Sequence, residues 1–279
     1  MTLEPGPSDW QGFRLGGTKT AVVQLRELPP SPSRYGQSTP AASPGGSPGI
    51  SLGLLGGFEL RLDGRAVLLP KTVRRLLVFL ALGHRPLART YVSQSLWPEA
   101  TERHADGNLR SAMWKVGQLA ASAIAASGGQ LALGPRVAVD YRRSVALARR
   151  LLHDPGSLEE RESGEETFTR DLLPDWYEEW IVTERERYRQ LRLHALEALC
   201  LELVARRRFG QAVQAGLAAV AGEPLRESAT LALIRAYLAE GNASEAFRHY
   251  HAFRHLLWNE LRVAPTSGTR QLIEELTER

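Results

Sequence analysis

The chain has 279 residues, 43% hydrophobic and 24% charged, with a formal net charge of +4. That length accommodates two ordinary domains, and without a run of roughly eighteen apolar residues or a clear signal peptide the expectation is a soluble, cytoplasmic protein with no membrane contact. Charge is unevenly spread: Ser51 to Asp140 carry eleven Lys/Arg against six Asp/Glu, whereas Tyr141 to Arg279 carry twenty against twenty-two. A polyanionic partner belongs to the first of these segments.

Residues 1–48 include PPSPSRYGQSTPAASPGGSPG, whose Pro, Ser and Gly supply too little apolar surface to offset chain entropy. They are expected to be a disordered extension, or a start-site overreach. Short strands follow at Leu52 to Leu55, at Phe58 to Leu62 with period-two alternation, and at Ala66 to Leu69 after an Asp63-Gly64 hairpin turn. KTVRRLLVFLALG predicts a helix with Val73, Leu76, Leu77 and Leu80 inward, closed by Gly83 as a C-terminal glycine. Arg74 and Arg75 stand near its start.

Thr90 is placed to cap a short helix carrying Val92 and Leu96, which Pro98 ends. Thr101 caps a second helix whose inward stripe is Leu109, Ala112, Met113, Val116 and Ala120. Its other face gathers His104, Asn108, Arg110, Ser111, Trp114, Lys115 and Gln118, the side-chain types that read base edges from a helix in a major groove. The plain alternative is a solvated helix face. Gly107 and Gly117 each weaken this helix by up to about 1 kcal/mol relative to Ala. After Gly128-Gly129 breaks the chain, QLALGPRVAVD reads as two strands around Gly134-Pro135, a wing.

On this reading Asn108, Arg110, Ser111, Trp114 and Lys115 are candidates for contacts to bases or the nearby backbone. Arg74, Arg75, Arg89 and Thr90 are candidates for phosphate, with Arg136 acting from the wing. Trp114 has a second possible role, covering the wing hairpin.

Farther on, Pro174 and Asp175 are expected to open a helix whose Trp176, Trp180 and Tyr188 pack against its neighbours, the alternative being a partner surface. Leu199, Leu203, Val204 and Ala212 recur thirty-four positions later as Leu233, Tyr237, Leu238 and Ala246, the period of tetratricopeptide helix pairs. Ala212 and Ala246 fall where close packing needs a small side chain, and Gly210 and Gly241 lie at or near turns. The single cysteine, Cys200, sits in this apolar pattern and excludes a disulfide framework within one chain. The fold class expected is mainly α: a winged helix-turn-helix with small antiparallel sheets over 49–140, then an all-α tetratricopeptide-like domain over 141–279.

No enzyme is expected. His251 and His255 share a helical face but lack a zincin's glutamate and a third ligand, and phosphate-binding and nucleophile-elbow motifs are missing. The acidic run Glu159, Glu160, Glu162, Glu165 and Glu166 belongs to a polar loop. No cofactor and no metal are implied.

The residues LLGGFELRLDGRAVLLP, VFLALGHRPLART, LWPEA and NLRSAMWKV resemble the OmpR-type DNA-binding domain of the Streptomyces antibiotic regulatory protein family. The stretches LLPDWYEEWIVTERERYRQLRLHALEAL and EPLRESATLALIRAYLAEGNASEAFRHYHAFRHLLWNEL, with the closing VAP, resemble the bacterial transcriptional activator domain that follows it there. The resemblance implies an activator of a secondary-metabolite gene cluster, working on the nucleoid. It implies binding to direct repeats in double-stranded DNA near a promoter's −35 region, with a second copy of the protein, and recruitment of RNA polymerase through its sigma factor and core subunits. Gly117 departs from the arginine that many relatives carry there. A rival reading is a helical-repeat interaction adaptor whose winged helix only docks protein; such an adaptor needs no excess of positive charge in residues 51–140.

Overall fold

The computed structural model describes residues 49–157 and 168–277. The readings of 1–48 as a disordered extension and of Glu159 to Glu166 as a polar loop lie outside the described residues. Those described are mainly helical, with small sheets confined to the first part of the chain.

Strands β1 (Ile50–Gly53), β2 (Glu59–Leu62) and β3 (Arg65–Val67) form an antiparallel meander. Its β2–β3 turn is Asp63-Gly64, both at positive φ, the twist a two-residue hairpin requires. β1 ends at Gly53, two residues before the expected Leu55. The Leu54 and Leu55 amides donate to the Asp140 carboxylate at 2.8 and 3.1 Å instead of extending the β1–β2 ladder.

Helix α1 (Lys71–Leu82) buries Val73, Leu76, Leu77 and Leu80 as the spacing predicts. Gly83 follows it in extended backbone, φ −65°, so it is no left-handed cap. Its value is room: a Cβ there would stand 3.3 Å from the Leu87 side chain. Strand β4 (Leu87–Ala88) leads into α2 (Arg89–Leu96), and α3 (Glu102–Leu119) follows the Trp97 to Thr101 turn. Thr90 therefore lies inside the first turn of α2, and Ala88 occupies the cap position. Thr101 does occupy the N-cap of α3, but its hydroxyl bonds to the His104 ring at 2.8 Å rather than to a backbone amide.

The wing differs from expectation. Gly128-Gly129, both at positive φ, turn a hairpin between β5 (Ile124–Ser127) and β6 (Gln130–Leu133), and β4 pairs with the outer edge of β6. Gly134-Pro135 makes no hairpin. The Gly134 amide donates to the Ala123 carbonyl at 2.8 Å, and a Cβ on it would meet the Ser122 carbonyl oxygen at 1.9 Å. The chain squeezes past that point and crosses to the first sheet, where β7 (Val137–Val139) pairs parallel with β1 and completes the order β3-β2-β1-β7.

From β7 the chain runs straight into α4 (Asp140–His153), then α5 (Glu179–Ala205), α6 (Phe209–Gly222), α7 (Glu227–Glu240), α8 (Ala243–Leu261) and α9 (Ser267–Thr277). The thirty-four-residue period is realised: α5 and α6 form one pair, α7 and α8 the next, with Ala212 and Ala246 both fully buried. Gly241 ends α7 at φ 87°, a left-handed cap that only glycine adopts without strain. Between α6 and α7, Gly216 lies so close that a Cβ would stand 3.0 Å from Leu233.

Two apolar clusters run through this body. One gathers the winged-helix interior together with Tyr141, Val145, Leu172, Leu173, Ile181 and Tyr188. The other joins the end of α4 to α5, α6, α7 and α8, with Cys200 inside it. Helix α5, about 40 Å long at 1.5 Å per residue, contributes to both, so the winged helix and the repeats share packed side chains.

Candidate nucleic-acid interface

Helix α3 turns Ala105, Leu109, Ala112 and Val116 into the core. At 100° per residue that stripe leaves His104, Asn108, Ser111, Lys115 and Gln118 on the opposite side, all exposed, with Trp114 and Arg110 along one flank. Asn108, Arg110, Ser111, Trp114 and Lys115 make no side-chain hydrogen bond, ion pair or ring contact with any described residue. Trp114 is 66% exposed, so it does not cover the wing. The face is polar, cationic and uncommitted.

Two features frame it. The β4–β6 pairing brings Ala88 opposite Gln130, and the Arg89 amide donates to the Gly129 carbonyl at 2.9 Å. The start of α2, with Arg89 and exposed Thr90, therefore stands beside the tip of the β5–β6 hairpin, and a helix N-terminus favours phosphate. The Gly-Gly hairpin signature could have located this tip from the sequence.

The other candidates are placed differently. Arg136 is exposed in the turn between β6 and β7, at the base of the hairpin rather than its tip. Arg74 is half-buried. The Arg75 Nε lies 3.1 Å from Glu178 Oε1, with both side chains about one-fifth exposed at 19% and 22%. That guanidinium braces the winged helix against the segment leading into α5.

The rest of this brace was invisible to sequence pattern. Arg142 of α4 donates from Nε to the Ala81 carbonyl at 2.8 Å and from Nη2 to Leu80 and Gly83 at 3.0 and 2.9 Å, satisfying the open end of α1. Arg185 donates to the carbonyls of Leu172, Leu173 and Trp176. Those bonds hold LLPDW as a loop, with Pro174 and Asp175 in a turn, and the helix expected there begins only at Glu179. The Leu173 amide in turn donates to the Leu54 carbonyl at 2.9 Å. The tryptophans are packed: Trp176 stands 6.0 Å from Phe58 between ring centroids, and Trp180 meets Phe79 edge-on at 5.0 Å. Tyr141 bonds to Glu184 at 2.5 Å and Tyr188 to Ser144 at 2.8 Å. Burial raises both phenols above their ordinary range, and the Glu184 bond adds to the rise for Tyr141, so both remain neutral.

The described residues thus form a winged helix with an open α3 face, braced on helical repeats. Residues 139–277 match the family described as bacterial transcriptional activator domain. Among solved structures, the fold is similar to Mycobacterium tuberculosis EmbR, determined in complex with a low-affinity phosphopeptide, at a TM-score of 0.67 and 19% identity. The similarity covers 83% of this chain, which spans 66% of the length of that one. No curated protein matches the chain. Among the described residues no helix is long and apolar enough to cross a membrane.

Proposed function

We propose that the protein is a sequence-specific DNA-binding transcriptional activator, acting on the nucleoid in the cytoplasm, whose α3 enters the major groove. The observation that carries this is the uncommitted outer face of α3 framed by the start of α2 and the hairpin tip. Asn108, Arg110, Ser111, Trp114 and Lys115 address bases or the adjoining backbone, while Arg89 and Thr90 hold phosphate beside the wing. Arg136 and Arg74 contribute from farther out. Arg75, held by Glu178, reaches phosphate only by giving up that pair. The domain assignment, 49–140 for DNA and 141–279 for activation, follows the charge partition and the family match.

The family resemblance of residues 50–279 supports the finer reading: direct repeats near a −35 region, contact with RNA polymerase sigma factor and core subunits, and control of an antibiotic-type gene cluster. A single winged helix covers only a few base pairs, and on direct repeats two copies must meet head to tail, through different surfaces. DNA prearranges such partners, so a weak contact suffices. The test is gel-shift cooperativity on a repeat whose half-sites stand about one helical turn apart. Inserting about five base pairs turns one copy to the opposite side and abolishes cooperativity, and a full-turn insertion weakens it less. A stable symmetric dimer preferring a palindrome would overturn the model.

A further inference from the structure

We infer that the concavity between the C-terminal end of α1, strand β6 and helix α4 binds a small amphiphilic anion, an organic carboxylate or phosphate with a compact apolar body. Its volume of about 370 Å³ lies in the range of small-molecule pockets. The inner wall is apolar: Leu80 from α1, Ala132 and Leu133 from β6, Val145 and Ala146 from α4. Around it stand His84, Arg85, Arg142 and Arg149, and among the described residues no carboxylate lines the site.

Arg142 has a structural reason to be there, since it caps α1. The other three do not. His84, Arg85 and Arg149 are exposed and make no hydrogen bond or ion pair with any described residue. Like charges converge without a counter-charge only at a cost in repulsion, which a bound anion relieves. Tyr141, Val145 and Arg149 recur at four-residue spacing, so one face of α4 presents both the floor and a cation. The ligand would touch the winged helix through Leu80 and Arg85, the base of the wing through Leu133, and the activator segment through Arg149. This goes beyond DNA binding and does not depend on it.

The full chain, titrated with the aromatic sulfonate 8-anilinonaphthalene-1-sulfonate, shows saturable fluorescence from one site. Octanoate and octyl phosphate both displace the dye, and the more potent identifies the preferred headgroup. The double variant Arg85→Gln/Arg149→Gln raises the dissociation constant about tenfold or more, as loss of charged hydrogen bonds does. Ala146→Leu, which fills the apolar wall and suits a helix, weakens binding comparably, while Arg248→Gln on α8 leaves it unchanged. Circular dichroism and thermal melting establish that each variant is folded. Dye binding unchanged in both pocket variants overturns the proposal, as does displacement by inorganic phosphate with equal potency. Displacement by duplex DNA, with Ala146→Leu binding dye like the parent chain, overturns it in favour of a backbone-phosphate track.

Discussion

Asp140 ties the end of β1 to the start of α4, and its removal has a calculable effect. Its carboxylate accepts from the Leu54 amide at 2.8 Å, the Leu55 amide at 3.1 Å and its own neighbour's amide, Tyr141, at 2.6 Å. Leu54 is fully buried, so in Asp140→Ala its N–H loses its partner where water does not reach, at about 1–3 kcal/mol. Leu55 is half-buried and recovers part of its loss from water. The carboxylate at the start of α4 also faces the positive end of that helix, worth about 0.3–1 kcal/mol. The sum is about 2–4 kcal/mol, with Asp140→Asn losing roughly half because one oxygen acceptor remains. Urea unfolding followed by tryptophan fluorescence reads this directly, since Trp176 and Trp180 pack against the winged helix. The midpoint falls with the slope unchanged. A loss below about 0.5 kcal/mol for Asp140→Ala, the range of ordinary surface substitutions, refutes the reasoning.

Two glycines separate by what surrounds them. Gly134→Ala drives a Cβ into the Ser122 carbonyl at 1.9 Å and costs about 3 kcal/mol or more, read as a fallen melting temperature; an unchanged melt contradicts the crossover geometry. Gly117→Ala meets nothing within 4 Å and lies in the last turns of α3, so it stabilises the protein by about 0.5–1 kcal/mol in the same urea assay. Destabilisation there would mean the α3 backbone is not helical at Gly117.

What the sequence made legible was periodic. The α3 stripe and the thirty-four-residue helix pairs follow from apolar spacing, because Leu109 or Ala212 must recur on one face to be buried at all. What it hid was non-local. Gly134-Pro135 carries the signature of a hairpin, and only the parallel pairing of Val137 to Val139 with β1 shows that the chain crosses sheets there. Arg142, Arg185 and Arg192 look like solvated charges in sequence, yet each feeds backbone carbonyls of a distant segment. The same long-range demand converts LLPDW into a loop and ends β1 early. In the candidate site, the face of α3 was legible residue by residue; the neighbourhood of Arg89 and the hairpin tip, and the inward pairing of Arg75, were not.

The central claim is that the outer face of α3 reads sequence, and Arg110→Ala tests it most directly. Dissociation constants of the full chain would be measured, at two salt concentrations, on a duplex it selects from a randomised pool and on a scrambled duplex. Arg110 is exposed and unpaired, and a lost guanine contact costs about 1–3 kcal/mol on the selected duplex with much less on the scrambled one. Equal losses on both duplexes would reduce Arg110 to a phosphate contact, and no loss on either would contradict the assignment of this face to DNA.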